Sequence, residues 1–255
     1  MGGSRQDRLQ RDLRRADQLA VEQGLAPTRS RAQAIIRMGK LRWAGRVVGK
    51  AGELLPSDAE LDLAAPDHPW VSRGGVKLSE ALRRFDLSPR NRVCLDLGAS
   101  TGGFTEVLLA EGATRVYAVD VGHDQLAPAL RADPRVDSLE GVNARNLDRS
   151  LLPDPLGAIV CDVSFISARK VLEPAFALAT SDCWLLVLVK PQFEVGQAGV
   201  GKHGVVRSEA LRRQACDEIM AWLSERGWGI LGVADSPLLG RRGNREYLLA
   251  ARRAS

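Results

Sequence analysis

From Arg92 onward the chain alternates short apolar runs with segments of helical period, and few folds accept that order. The apolar runs are residues 92–97, 115–120, 136–140, 158–162, 184–190, 229–234 and 246–250, each of a length suited to a strand. Residues 103–111, 124–131 and 208–226 have helical spacing, the last with Leu211, Ala215, Ile219 and Leu223 in register. Strands separated by helices predict a doubly wound α/β sheet that binds ligands at the carboxyl ends of its strands. The longest apolar run, Trp184 to Val189, falls far short of the ~18 residues that a membrane-spanning helix needs. Residues 1–15 are basic and polar and lack the apolar stretch of a signal peptide. The four cysteines, Cys94, Cys161, Cys183 and Cys216, form no C-x-x-C pair, so neither disulfides nor a metal site are expected. His123 and His203 likewise have no partners at ligand spacing. A cytoplasmic protein without a membrane partner is the expectation.

Charge divides the chain. Residues 1–55 hold twelve Lys/Arg against five acids, a net +7, whereas the whole chain carries +5. The remainder is therefore close to neutral. Such segregation suits a polyanion, because basic clusters release counterions from phosphate backbones. A solvated, solubilising arm would explain the charge alone equally well. Residues 1–15 read as a frayed basic tail, of which 1–12 match no motif. A short helical period follows from Asp17, with Leu19 and Ala20 apolar and Gly24 as its stop. A second helix runs to Met38 from a cap at Thr28 or Ser30, with Ala32, Ile35 and Ile36 on one face. Leu41-Arg42-Trp43, a turn at Ala44-Gly45 and Val47-Val48 look β-like. The prolines of Ala64-Ala65-Pro66-Asp67-His68-Pro69 mark a linker, which places one small domain at 13–63 and a large one at 71–255.

The most informative loop is Asp96-Leu97-Gly98-Ala99-Ser100-Thr101-Gly102-Gly103-Phe104-Thr105, directly after the first strand of the large domain. Its glycines permit a tight strand-to-helix turn and close approach of backbone to ligand. The spacing departs from G-x-G-x-x-G, and Asp96 would repel a phosphate but could pair with an ammonium. A second acid, Asp120, ends the next strand 24 residues later, where a ribose-binding carboxylate belongs, with Val121 beside it. An adenosine with a cationic amino-acid tail fits this pair better than NAD or ATP, and S-adenosylmethionine is such a molecule. The run from Gly196 to His203 nearly matches a phosphate-binding G-x-x-x-x-G-K-[ST], but His203 cannot supply the magnesium-binding hydroxyl. It reads as a glycine loop beside the active site.

Five segments then occur in order: Val71-Ser72-Arg73-Gly74-Gly75-Val76-Lys77-Leu78, the Asp96–Thr105 loop, Cys161-Asp162-Val163-Ser164-Phe165-Ile166, Val189-Lys190-Pro191-Gln192-Phe193-Glu194 and Gly243-Asn244-Arg245-Glu246-Tyr247. Together they closely resemble the TlyA family, across residues 13–250. That family joins an S4-like RNA-binding domain to an FtsJ-like methyltransferase domain with a seven-stranded Rossmann-like sheet. Its members are ribosomal RNA 2′-O-methyltransferases that use S-adenosylmethionine on cytidine in 16S or 23S RNA, and some have been labelled hemolysins. The resemblance implies a Lys-Asp-Lys-Glu tetrad at Lys77, Asp162, Lys190 and Glu246. Asp162 and Lys190 end apolar strands, at the ligand-binding edge of the sheet. A ribose hydroxyl is a poor nucleophile, so Lys190 is expected to act as base. Desolvation and a neighbouring cation are what allow a lysine that role. Asp162 is expected near the methyl group, with Lys77 and Glu246 orienting the ribose.

The resemblance also implies that Asn143 and Ala144 lie near the adenine, although a plain turn fits Asn143 nearly as well. In the N-terminal module it implies RNA contacts from Arg15, Arg29, Ser30, Arg31, Arg37 and Lys40, gripping phosphates without reading sequence. Base choice then falls to the methyltransferase pocket. The expected partner is ribosomal RNA or a ribosomal subunit, bound by a monomer. Two other classes remain in view: a non-catalytic ribosome-assembly factor, which the intact tetrad disfavours, and a cytolysin, which the lack of a spanning helix, a signal or an amphipathic membrane segment disfavours.

Overall fold

The structure, a computed structural model, describes residues 13–26, 28–37, 39–63, 68–196 and 199–254. The tail assigned to 1–12, linker residues 64–67 and Met38 lie outside the described residues. The chain divides between Asp67 and His68 into two compact units.

In the N-terminal unit, β1 (Leu13–Arg15), α1 (Ala16–Glu22), α2 (Arg29–Arg37), β2 (Leu41–Trp43), β3 (Arg46–Val47), β4 (Leu54–Pro56) and β5 (Leu61–Leu63) follow in order. Residues 13–15 are a strand and not part of a frayed tail: Arg15 pairs with Leu54, and Ala16 N–H donates to Glu53 O. Of the two proposed caps for α2, the Thr28 hydroxyl is the one engaged, accepting from the Arg31 N–H at 3.2 Å. The apolar spacing of α2 buries Ala32, Ile35 and Ile36 among Leu19, Leu41 and Leu55. Arg29, Ser30, Arg31 and Arg37 are thereby left exposed. Ala44 and Gly45 take φ of 48° and 76°, the paired positive angles that a two-residue turn between β2 and β3 requires.

The larger unit opens with α3 (Arg73–Phe85), β6 (Val93–Leu97), α4 (Gly103–Ala110), β7 (Arg115–Asp120), α5 (Pro128–Arg131) and β8 (Val136–Glu140). It continues with β9 (Leu156–Cys161), α6 (Ala168–Phe176), β10 (Ala179–Val189), α7 (Pro191–Glu194), α8 (Glu209–Ser224), β11 (Trp228–Asp235) and β12 (Tyr247–Arg253). Seven strands form one sheet in the order β8-β7-β6-β9-β10-β12-β11. The five from β8 to β10 run parallel, and β12 is antiparallel to both of its neighbours. Alternate residues of each central strand feed opposite cores, as a sheet covered on both faces demands. Cys94, Val116, Ala118, Val160 and Leu186 meet α3 and α4, while Leu95, Tyr117, Ile159 and Val187 meet α6 and α8. Strand order reverses between β6 and β9, and the crevice that this opens at their carboxyl ends is where such sheets bind ligands.

The helix expected at 124–131 shrinks to Pro128–Arg131. Glu140 Oε1 takes the Gln125 and Leu126 N–H groups at 2.7 and 3.0 Å, and Asp124 has φ +53°, so those residues form a loop that wraps a carboxylate.

Candidate active site

The loop after β6 turns on three residues with positive φ, Gly98 (84°), Ser100 (48°) and Gly102 (95°). A Cβ at Gly98 would lie 2.7 Å from the carbonyl oxygen of Asp162, so only glycine lets β6 and β9 approach at the switch point. A Cβ at Gly102 would lie 2.3 Å from Leu130, and Gly103 begins α4. The Asp120 carboxylate, at the end of β7, accepts the Ser100 and Gly122 N–H groups, both at 2.8 Å. Those bonds fix the carboxylate while leaving it further lone pairs for hydroxyl donors. Asn143 Oδ1 accepts the Arg145 N–H at 3.0 Å and so caps the turn that holds Ala144.

These residues surround a cavity of about 610 Å³. Gly98, Ser100, Asp120, Val121, Asn143, Ala144 and Asp162 line it, together with Val119, Val142, Ile166 and Arg241. Of the other residues expected at the cofactor, Ala99, Thr101, Gly102, Gly103 and Phe104 shape the loop and the start of α4 and do not face the cavity. An adenosine with a cationic tail suits this donor set. The valines and Ile166 offer apolar walls to a base, Asp120 accepts from ribose hydroxyls, and Asp162 provides an anion.

Asp96 lies beneath the loop with no exposure at all. Its Oδ2 accepts from the Thr105 hydroxyl at 2.7 Å, and its Oδ1 has no hydrogen-bond partner. Burial pushes its carboxyl up to about 7, and nearby Asp162 and Asp120 add to the shift. The unfolded carboxyl titrates near 4, so the folded protein binds the extra proton between about pH 4 and 7. Stability should therefore fall as pH rises through that window and level off above it. Asp96→Asn keeps the shape without the charge. Without cofactor it should be more stable than wild type at pH 8, by on the order of 2–4 kcal/mol, and melt higher there, with about equal stability at pH 4. Equal melting at pH 8 would contradict a buried, unpaired carboxylate.

The four tetrad positions form two ion pairs. Lys77, in the second turn of α3, lies 2.5 Å from Glu246 Oε2, just before β12. These two side chains are 10% and 4% exposed, so the pair is shielded from water. Gly240 makes room for it, because a Cβ there would sit 1.9 Å from Glu246 Oε1. Lys190 Nζ lies 2.6 Å from Asp162 Oδ1, an ion pair without hydrogen-bond alignment, and donates to Ser164 Oγ at 2.9 Å. The group set against Lys190 is thus a carboxylate and not the neighbouring cation expected from the sequence.

Ser164, Phe165 and Phe193 lie within the five ordered segments, but sequence reasoning assigns them no place in the site. Phe165 is 79% exposed at the cavity wall, holds φ +67° and meets the Phe193 ring at 5.3 Å. A bulky residue at positive φ costs about 1–3 kcal/mol and persists only where surrounding structure imposes it. The available signal was spacing, since Phe165 and Phe193 each follow a tetrad residue, Asp162 and Lys190, by three positions. Of the residues expected to touch RNA, Arg15 and Arg29 meet at Asp17, and Ser30, Arg31 and Arg37 are exposed along α2. Lys40 is half-buried between α2 and β2.

A parallel sheet with one reversed strand, a glycine loop at the switch point and an acid on the next strand define a Rossmann-like, S-adenosylmethionine-dependent methyltransferase. The profile of the FtsJ-like methyltransferase family matches residues 70–253. Over 236 residues the chain is 44% identical to the 16S/23S rRNA (cytidine-2′-O)-methyltransferase TlyA of Mycobacterium tuberculosis, covering 92% of this chain and 88% of that one. It is 38% identical to Hemolysin A of Brachyspira hyodysenteriae, over 92% of this chain and 98% of that one. A solved structure from Streptococcus thermophilus, provisionally named a hemolysin, superposes with a TM-score of 0.76 at 36% identity, covering 95% of this chain and 89% of that one. The chain belongs to the FtsJ-like methyltransferases and, within them, to the TlyA group. Among the described residues no helix is long and apolar enough to cross a membrane.

Proposed function

We propose that this protein transfers a methyl group from S-adenosylmethionine to the 2′-hydroxyl of a cytidine ribose in ribosomal RNA, 16S or 23S. The observation that carries the reading is the Lys190 ammonium, 2.6 Å from Asp162 and 2.9 Å from Ser164, two residues that line the cavity also holding Asp120. The relative in M. tuberculosis is named for this reaction, and it matches nearly the whole chain.

Asp120 would hold the ribose of the cofactor, with Gly98 and Ser100 against its tail and Asn143 and Ala144 near its base. S-adenosylmethionine supplies an electrophilic methyl on a positively charged sulfur. Lys190 accepts the proton of the attacking hydroxyl, and Asp162 at 2.6 Å stabilises the ammonium that forms. The hydrogen bond from Lys190 to Ser164 Oγ at 2.9 Å and the Asp162 carboxylate at 2.6 Å hold Nζ in place for that transfer. Lys77 and Glu246 orient that ribose, so much of the rate comes from alignment of the attacking oxygen.

Phe165, exposed beside Asp162 and braced by Phe193, offers a ring on which an extruded base stacks. Phe165→Ala should raise the KM for RNA about tenfold or more and leave cofactor affinity unchanged. An unaltered KM would remove the ring from substrate binding. Residues 13–63 act as an S4-like RNA-binding domain through Arg15, Arg29, Ser30, Arg31, Arg37 and Lys40, and the protein works as a cytoplasmic monomer. Nucleoside analysis of ribosomal RNA after incubation with enzyme and cofactor tests the reaction. It should yield 2′-O-methylcytidine, and a base-methylated nucleoside in its place would overturn the reading.

A further inference from the structure

We propose that Asp17 is a positioning residue for RNA binding, holding Arg15 and Arg29 as a fixed pair of guanidinium donors for the phosphate backbone. The inference rests on the reading of residues 13–63 as an RNA-binding module. Asp17 lies in the first turn of α1 with no exposure. Its Oδ1 accepts from Arg15 Nε at 2.9 Å, and its Oδ2 accepts from Arg15 Nη2 at 3.1 Å, Arg29 Nη2 at 3.2 Å and Gln33 Nε2 at 2.9 Å. These donors hold its carboxyl well below the usual carboxylate range, the Arg15 bond most of all, so it stays an anion throughout the physiological range.

An acid in the first turn of a helix commonly serves only the helix dipole. Asp17 does more, because it gathers arginines from two separate elements, the end of β1 and the start of α2. Both arginine side chains remain about half exposed, at 42% and 52%. Arg15 meets Asp17 through its Nε–Nη2 edge, which turns its Nη1 donors away from the carboxylate. The backbone is shaped for the same guanidinium, since a Cβ at Gly52 would lie 3.0 Å from Arg15 Nη1. Two arginines share one buried anion, so the cluster keeps a net positive charge while losing rotamer freedom before any RNA arrives. That ordering cost otherwise falls on binding.

Charge and positioning predict opposite signs for one substitution. Asp17→Asn adds a positive charge to the module, so charge alone would tighten RNA binding, whereas loss of the fixed pair would weaken it. The full-length protein would be titrated against a labelled RNA hairpin of mixed sequence over a salt series, with thermal melting recorded for each variant. We expect Asp17→Asn to bind about five- to tenfold more weakly. Arg15→Lys retains the charge and the fold but cannot form the two-bond fork, and should lose about threefold or more with the salt slope unchanged. The double variant Arg15→Gln/Arg29→Gln should flatten the salt slope by one to two. If that double variant changes neither affinity nor slope, the RNA-binding reading of this surface fails. If it weakens binding while Arg15→Lys, or a folded Asp17→Asn, binds as tightly as wild type, the role given to Asp17 fails. Should Asp17→Asn melt below the assay temperature, Arg15→Lys decides.

Discussion

Lys190→Ala should reduce methyl transfer by about 10²–10⁴-fold, the usual contribution of a positioned general base, while changing cofactor affinity by less than about twofold. The asymmetry follows from position. Lys190 reaches the cavity only through Asp162 and Ser164, while the groups that would hold the cofactor's ribose, tail and base sit at the ends of β6, β7 and β8. Lys190→Arg should fail as well. It keeps the charge that faces Asp162, but a guanidinium cannot accept a proton at physiological pH. Single-turnover transfer measured beside calorimetric cofactor binding separates the two effects. Parallel losses in both would make Lys190 a structural lysine, and full activity in Lys190→Arg would remove the base from the reaction.

Breaking the Lys77–Glu246 pair should produce the largest loss of stability of any single change in the site. Both side chains are nearly excluded from water, so Glu246→Ala or Lys77→Ala leaves a buried charge without its partner, at about 3–5 kcal/mol. Replacing both, as in Lys77→Met/Glu246→Leu, removes the charges together and should recover most of that stability. Activity should not return, because neither replacement can orient a ribose hydroxyl. Denaturant midpoints and turnover on the same preparations test this. An active double variant would reduce the pair to packing.

The sequence disclosed the larger fold because each central strand is apolar on both faces, the signature of a parallel sheet under two layers of helices. Residues 136–140 are a strand with the expected bounds, while β10 begins at Ala179, well before the expected Trp184, because Thr180, Ser181 and Asp182 hide its first residues from any hydrophobic pattern. The failed helix at 124–131 depended on Glu140, a remote carboxylate that captures two N–H groups and that no local pattern exposes. In the site, the order of motifs along the chain marked Lys77, Asp162, Lys190 and Glu246. Spacing could not reveal that they meet as two pairs, since 169 positions separate Lys77 from Glu246. Phe165 was invisible for another reason. Its exposure and positive φ are properties of the folded loop, and an isolated phenylalanine in a sequence normally signals core.

Tritium transfer from labelled S-adenosylmethionine to purified small and large ribosomal subunits from an unmethylated host tests the central claim most directly. Wild type and Lys190→Ala would be compared side by side, and the product mapped by reverse-transcription stops at low dNTP concentration. Ribose 2′-O-methylation by Lys190 predicts label in ribosomal RNA, a stop at one cytidine, and neither with the variant. Tight cofactor binding with no label in either subunit would contradict it and favour an RNA-binding assembly factor built on a methyltransferase fold.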